Sequence, residues 1–101
     1  MERRRVFITG IGIVSPVGLT RQTTWDNLVN GVSGIDQISS FDPDGLETTI
    51  AAEVNDFDPT NYVSKKQAHR MDRFSQLAIA ASLEAVDHAR PDINDNNRER
   101  V

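Results

Sequence analysis

Arg4-Arg5-Val6-Phe7-Ile8-Thr9-Gly10-Ile11-Gly12-Ile13-Val14-Ser15-Pro16-Val17-Gly18 joins an unbroken apolar run to an elbow rich in glycine and proline. Val6, Phe7 and Ile8 show no polar alternation, which is the pattern of a strand covered on both faces in an α/β protein. The run predicts a strand over residues 5–9. Gly10 and Gly12 then open backbone conformations closed to other residues, and Pro16 fixes a turn.

After the elbow a helix is expected. Thr20 suits an N-cap, Trp25, Leu28 and Val29 share one face at helical spacing, and Gly31 supplies the stop. Residues 33–46 are turn-rich and read as an ordered loop pinned to the core by Ile35, Ile38 and Phe41. Thr48 to Val54 alternates as a half-exposed strand, with Ile50, Ala52 and Val54 on one side. Asp56-Phe57-Asp58-Pro59 ends it.

The clearest helix runs from about Asp72 to His88, opening on an aspartate and closing before Arg90-Pro91. Arg73, Gln76, Ala80, Glu84 and Asp87 form one narrow polar stripe, and apolar or small residues spread over roughly two-thirds of the circumference. Such a helix is expected to be buried on several sides. Two strands and one short helix cannot cover so wide an arc, so more protein is required than these elements supply. The reading is α/β with the order β-α-β-α over residues 1–101, one unit with no second domain, ending in the polar stretch from Asp92 to Arg100.

The composition excludes several classes of function. The 101 residues are 38% apolar and 26% charged, the balance of an ordinary globular domain. A net charge of −4 gives no general phosphate-binding surface, so no nucleic-acid partner is expected. There is no cysteine, hence no disulfide, thiolate metal site or thiolate nucleophile. No segment approaches membrane-spanning length and the start lacks the apolar core of a signal peptide. A soluble, cytoplasmic chain is the expectation.

The candidate chemistries are few. Gly10-Ile11-Gly12 after a strand invites a dinucleotide cradle, but Ser15 stands where the third glycine of that fingerprint belongs and Pro16 follows. His69 and His88 have no metal-ligand spacing. None of the serines lies in a nucleophile elbow, and Asp42, Asp44, Asp56 and Asp58 occupy turns. No catalytic, cofactor-binding or metal-binding residue is assigned. The local exception in charge is Ser64-Lys65-Lys66-Gln67-Ala68-His69-Arg70-Met71-Asp72-Arg73, with four permanent cations, one histidine and one acid. It reads either as a solvated helical turn or as a dock for an acidic partner.

Taken together, several stretches resemble one family. They are the opening run through Gly12 with Ser15-Pro16-Val17-Gly18, then Trp25-Asp26-Asn27-Leu28, Gly31-Val32-Ser33-Gly34-Ile35, Phe41-Asp42, Ile50 to Pro59, and Arg70-Met71-Asp72-Arg73-Phe74. Their order and spacing are similar to the synthase II group of the β-ketoacyl-acyl-carrier-protein synthases, the condensing enzymes of fatty acid synthesis. The resemblance covers essentially the whole chain.

It implies a thiolase-like fold of two related halves, usually a homodimer, of which these residues form the incomplete start of the first half. It implies an acyltransferase whose cysteine, working with two histidines, takes an acyl group from acyl carrier protein (ACP) and condenses it with decarboxylated malonyl-ACP to give 3-oxoacyl-ACP. Acyl and malonyl thioesters are then the substrates, with no cofactor. That cysteine and those histidines lie beyond this sequence in the family, so the chain is expected to be an inactive fragment by itself. In the family, cations just before the Met-Asp pair contact ACP. The matching positions are Lys66, His69 and Arg70, with Lys65 adjacent; His69 departs from the usual permanent cation. Alternatives are part of a polyketide ketosynthase or its chain-length partner, a non-catalytic carrier-binding module, and a nucleotide-binding α/β domain.

Overall fold

The structure, a computed structural model, describes residues 2–101. In chain order it contains helix α1 (Arg21–Val29), strands β1 (Ile35–Gln37) and β2 (Ile50–Ala52), a single 3-10 turn (Pro59–Asn61), the short helix α2 (Lys65–His69) and the long helix α3 (Arg73–Ala89).

The strand expected over residues 5–9 does not form. Residues 2–14 enter no β-ladder, and Val6 and Ile8 are 90% and 84% exposed. An apolar run specifies burial but not a hydrogen-bonding neighbour, and no described segment lies alongside to provide one. The next few residues are ordered by α3 instead. The Ile11 N–H donates to His88 Nδ1 at 3.1 Å and the Ile13 N–H to Glu84 Oε1 at 2.8 Å, so residues 10–13 run along the helix.

The two glycines explain how the backbone comes so close. A Cβ on Gly10 would overlap the Ala85 carbonyl and sit 2.7 Å from Ala89 Cβ; one on Gly12 would overlap the Ala81 carbonyl. Two residues of extended chain advance about 6.6 Å and one helical turn about 5.4 Å. Glycines two apart therefore meet alanines four apart, in step. Gly10 and Gly12 serve close packing against α3, which leaves the phosphate-cradle reading without its backbone.

Beyond this contact the elbow closes on itself. Ser15 and Gly18 exchange backbone hydrogen bonds at 2.8 and 3.2 Å around Pro16 and Val17. Thr24, one of the few buried residues, ties α1 to this turn through Ser15 Oγ at 2.9 Å and the Gly18 carbonyl at 3.3 Å. As expected, Thr20 caps α1 by accepting from the Thr23 N–H, and Gly31 follows the helix with φ +72°. Trp25, Leu28 and Val29 are exposed, so the apolar face of α1 is not buried by the described residues.

The turn-rich loop contains a strand that its composition conceals. β1 pairs antiparallel with β2 in the register Ile35↔Ala52, Asp36↔Ala51, Gln37↔Ile50. The ladder continues through Ile38 N–H to the Thr49 carbonyl at 2.9 Å. Ile35 and Phe41 do not pin this region to a core; both are exposed, and only Ile38 is half-buried. The register is secured from the side. Glu53 accepts from Ser39 N–H at 2.8 Å, Ser39 Oγ at 3.1 Å and Ser40 N–H at 3.1 Å. The Ser40 hydroxyl foremost, then the Ser39 amide, hold the Glu53 carboxyl down to about 2.

α3 begins after Asp72, whose side chain makes no cap bond, and ends at Arg90, which adopts φ +47° ahead of Pro91. Its orientation reverses the simple amphipathic expectation. The narrow polar stripe is the side the chain itself covers: Ala80 is 2% exposed, Gln76 and Glu84 are half-buried, and Arg73 donates to the carbonyls of Val54 at 3.1 Å and Phe57 at 3.5 Å. Arg73 also lies over the Phe57 ring at 4.9 Å, and that ring stacks on Tyr62. Phe74 is 72% exposed, with Leu83 and Val86 likewise open.

Phe57, Ala68 and Ala80 are the buried apolar residues among those described. The radius of gyration is 17.7 Å, against about 13 Å for a compact domain of 100 residues. The part of the apolar arc of α3 that carries Phe74, Leu83 and Val86 is thus open, while Ala81, Ala85 and Ala89 are met by Gly10 and Gly12, in keeping with the expectation that these elements alone cannot bury the whole arc.

Candidate docking surface

The basic segment folds as α2 because its first residues form a capping box. Ser64 Oγ accepts the Gln67 N–H at 3.1 Å, and Gln67 Oε1 accepts the Ser64 N–H at 3.2 Å. Ala68 points inward and is buried. Gln76 of α3 donates its amide to the Ala68 carbonyl at 3.0 Å and reaches the Met71 carbonyl at 3.5 Å, closing the open end of α2. One face of α2 is thereby fixed against the molecule. The other carries the charge.

Lys65 and Lys66 occupy the first turn, His69 is the last helical residue, and Arg70 is the C-cap with φ −94° and ψ 0°. All four are exposed. Residues three and four apart are neighbours on a helix surface, so Lys65 lies beside His69, and Lys66 beside both His69 and Arg70. The four positions named from the sequence are therefore brought onto one surface. Lys65 and His69 also rim a hollow of about 240 Å³ lined by Pro59, Thr60, Ala68 and Gln76. Among the described residues the ion pairs are Arg21–Glu84 and Arg98–Asp95, and neither involves this face.

Gln76 was not singled out by sequence reasoning, although its place in the polar stripe of α3 was the available signal. A larger hollow of about 490 Å³ lies at the elbow, between Ser15–Leu19, Thr23, Asn55 and Asp56. Its single ionisable group is Asp56, held at φ +61°. It brings together no nucleophile and base. No group of three or more potential ligands is gathered for a metal among the described residues, and none of the described helices is long and apolar enough to cross a membrane.

Comparison with known proteins gives this surface a context. The family described as Beta-ketoacyl synthase, N-terminal domain, matches residues 3–101. The chain belongs to the β-ketoacyl synthase family. It is 45% identical over 100 residues to the 3-oxoacyl-[acyl-carrier-protein] synthase 2 of Staphylococcus aureus (strain N315), covering 99% of this chain and 24% of that protein. To the enzyme of the same name from Vibrio harveyi it is 46% identical over 101 residues, covering 100% of this chain and 24% of the relative. Among solved structures, the ishigamide ketosynthase/chain length factor matches with a TM-score of 0.81 at 34% identity, covering 95% of this chain and 23% of that one. This β-ketoacyl synthase chain thus spans about a quarter of the length of the relatives it matches. The likeness to a ketosynthase structure covers nearly the whole chain, so its α/β fold is similar to part of that structure.

Proposed function

We propose that residues 1–101 act as one unit within a condensing enzyme of the 3-oxoacyl-ACP synthase 2 kind, supplying part of its scaffold and the surface that receives ACP. The observation that supports this reading best is the identity of 45–46% to synthases 2 along the whole chain. In the whole enzyme, a thiolase-like homodimer, an acyl group passes from ACP to a cysteine thiolate with loss of the carrier thiol. Malonyl-ACP loses carbon dioxide, and the carbanion so formed attacks the acyl thioester to give 3-oxoacyl-ACP. Preorganised N–H donors facing the developing oxyanion are the general means of accelerating such an acyl transfer.

The residues of this chain take the binding part of that sequence. Lys65, Lys66 and Arg70 present positive charge on a capped helix, with His69 among them, and such a surface steers an acidic protein and pairs with its carboxylates. The 101 residues hold no cysteine, so no thiolate within them can accept the acyl group.

Two measurements test the proposal. Titration of holo-ACP against the chain and against a Lys66→Glu, Arg70→Glu double variant is expected to show clear weakening in the variant; equal affinities would remove the docking role. Incubation with acyl-ACP and malonyl-ACP is expected to give no 3-oxoacyl product, and turnover by these 101 residues would refute the assignment of the nucleophile elsewhere. The match to a ketosynthase/chain length factor supports a second reading, part of a polyketide ketosynthase or its chain-length partner. Its lower identity ranks it second, and preference for a polyketide carrier over the fatty-acid ACP in the same titration would reverse that order.

A further inference from the structure

We propose that Asn30-Gly31 is a site of spontaneous covalent modification, at which the Asn30 carboxamide closes on the Gly31 backbone nitrogen and is converted to aspartate and isoaspartate. The site lies at the end of α1, away from the basic face of α2, and does not depend on the function proposed above.

The carboxamide carbon is the electrophile of this chemistry and the next backbone nitrogen the nucleophile. A side chain on the following residue obstructs the attack, and glycine has none. Of the chain's asparagines only Asn30 precedes a glycine. Its surroundings are open as well. A Cβ on Gly31 would meet nothing within 4 Å, and Asn30 is exposed, with a carboxamide that bonds to no described residue. By contrast, Asn27 donates its amide to the Val17 carbonyl, and Asn94 accepts the Asn96 N–H at 2.9 Å.

The helix cap governs access to the reaction. Asn30 is the C-cap of α1 at φ −83° and ψ 3°, which turns the Gly31 nitrogen away from the Asn30 side chain. The Gly31 N–H donates to the Leu28 carbonyl at 3.1 Å and the Val32 N–H to the Asn27 carbonyl at 2.9 Å. Ring closure requires this cap to open. The last turn of α1 is suited to local opening, because Leu28 and Val29 are exposed and contribute little burial to hold it. Once the cap opens, the Gly31 nitrogen bonds to Asn30 Cγ, its proton passes to Nδ2, and the Cγ–Nδ2 bond breaks to release ammonia. Water then opens the cyclic imide. Cleavage at Cγ gives aspartate, and cleavage at the Asn30 backbone carbonyl gives isoaspartate, with the main chain rerouted through the side chain.

Either product acts on the junction between α1 and β1. A carboxylate replaces a neutral amide at the C-terminal end of α1, where the helix dipole disfavours negative charge and the last turn holds no basic residue. Isoaspartate also adds a backbone carbon shortly before Gly34. A Cβ on Gly34 would lie 2.8 Å from Pro16 Cβ, so this segment packs closely on the elbow and has little room for added length.

The test is incubation of the full chain in warm, mildly alkaline buffer, followed by peptide mapping with fragmentation mass spectrometry. The mass gain of NH2 replaced by OH is expected at Asn30 before any other asparagine, accompanied by two chromatographically separate peptides of equal mass. Asn30→Gln, an exposed substitution compatible with the fold, should abolish that signal. Conversion should be several-fold faster in urea, where the cap is lost. An Asn30 that stays intact while another asparagine converts would overturn the proposal, and equal rates with and without urea would remove the guarding role of the cap. The converted chain, separated by anion exchange, should melt below the unmodified chain, with Asn30→Asp showing the part due to charge alone. Identical melting of all three would refute the effect on the junction.

Discussion

Glu84 and Arg21 lie 63 residues apart, and the Glu84 carboxylate accepts the Arg21 backbone N–H through both oxygens, at 3.0 and 3.1 Å. The same Oε1 accepts the Ile13 N–H, and the Arg21 guanidinium approaches Oε2 at 3.8 Å. One side chain of α3 therefore fixes the elbow and caps the first turn of α1, where helical N–H groups lack partners of their own.

Removing this junction should loosen both segments. Glu84→Ala is expected to lower stability by about 2 kcal/mol, the scale of hydrogen bonds to a charged acceptor in a partly buried site. Glu84→Gln, which keeps one acceptor oxygen, should cost less. Urea denaturation followed by circular dichroism measures both, and an unchanged midpoint in Glu84→Ala would show that the junction contributes nothing.

Gly12→Ala should detach the amino-terminal segment from α3. The new Cβ would overlap the Ala81 carbonyl, which belongs to helix backbone and cannot rotate aside. A cost of roughly 1–3 kcal/mol is expected for such overpacking, together with faster proteolysis between Arg3 and Arg21. A digestion rate equal to that of wild type would contradict the close approach. Gly31→Ala is a useful contrast, since nothing surrounds that position and only its φ of +72° resists a side chain. It should cost about 1 kcal/mol without exposing the segment.

These glycines also show how far the sequence could be read. α1 and α3 were legible because their boundaries are written locally, in Thr20, Gly31 and Pro91, although Asp72 precedes α3 without the side-chain cap expected of it, and the basic face of α2 was legible from charge alone. The first strand was not, because Val6, Phe7 and Ile8 specify that something should cover them but not what pairs with them. β1 was hidden by turn-forming neighbours, since three residues cannot establish a period. The stripe from Gln76 to Glu84 was seen but its direction was not. Amphipathic reasoning turns polar residues outward, and here the local chain meets α3 through them.

The Glu53 clasp predicts an acid response. Its carboxyl lies lower in the fold, at about 2, than a free glutamate at about 4.3. Its contribution to stability is therefore complete above the unfolded value and is lost as pH falls through about 2. Wild type should exceed Glu53→Gln in melting temperature near neutrality, and the gap should close between about pH 4 and pH 2. A constant gap across that interval would show that Ser39 and Ser40 do not select the ionised form. The Asp58 carboxyl, lowered first by the Thr60 hydroxyl and then by the Thr60 amide, responds in the same direction.

Arg73 joins α3 to the segment after β2 by two hydrogen bonds and by its position over Phe57. Arg73→Lys keeps the charge but loses the planar fork that reaches two carbonyls at once. It is expected to cost about 1 kcal/mol in chemical denaturation, and Arg73→Ala more. Full retention of stability by Arg73→Lys would mean that charge alone holds the contact.

The inverted packing of α3 separates orientation from cohesion. Apolar surface attracts without regard to angle or register, so a helix held only by its wide apolar arc could settle in several rotations. The stripe of Gln76, Ala80 and Glu84 permits few. Each of its hydrogen bonds has a fixed donor or acceptor in the backbone of another segment, and the adjoining line of Ala81, Ala85 and Ala89 admits only glycine opposite it. Whatever surface comes to lie against Phe74, Leu83 and Val86 therefore meets a helix whose rotation has already been chosen, so that the less selective force acts on a geometry set by the more selective one.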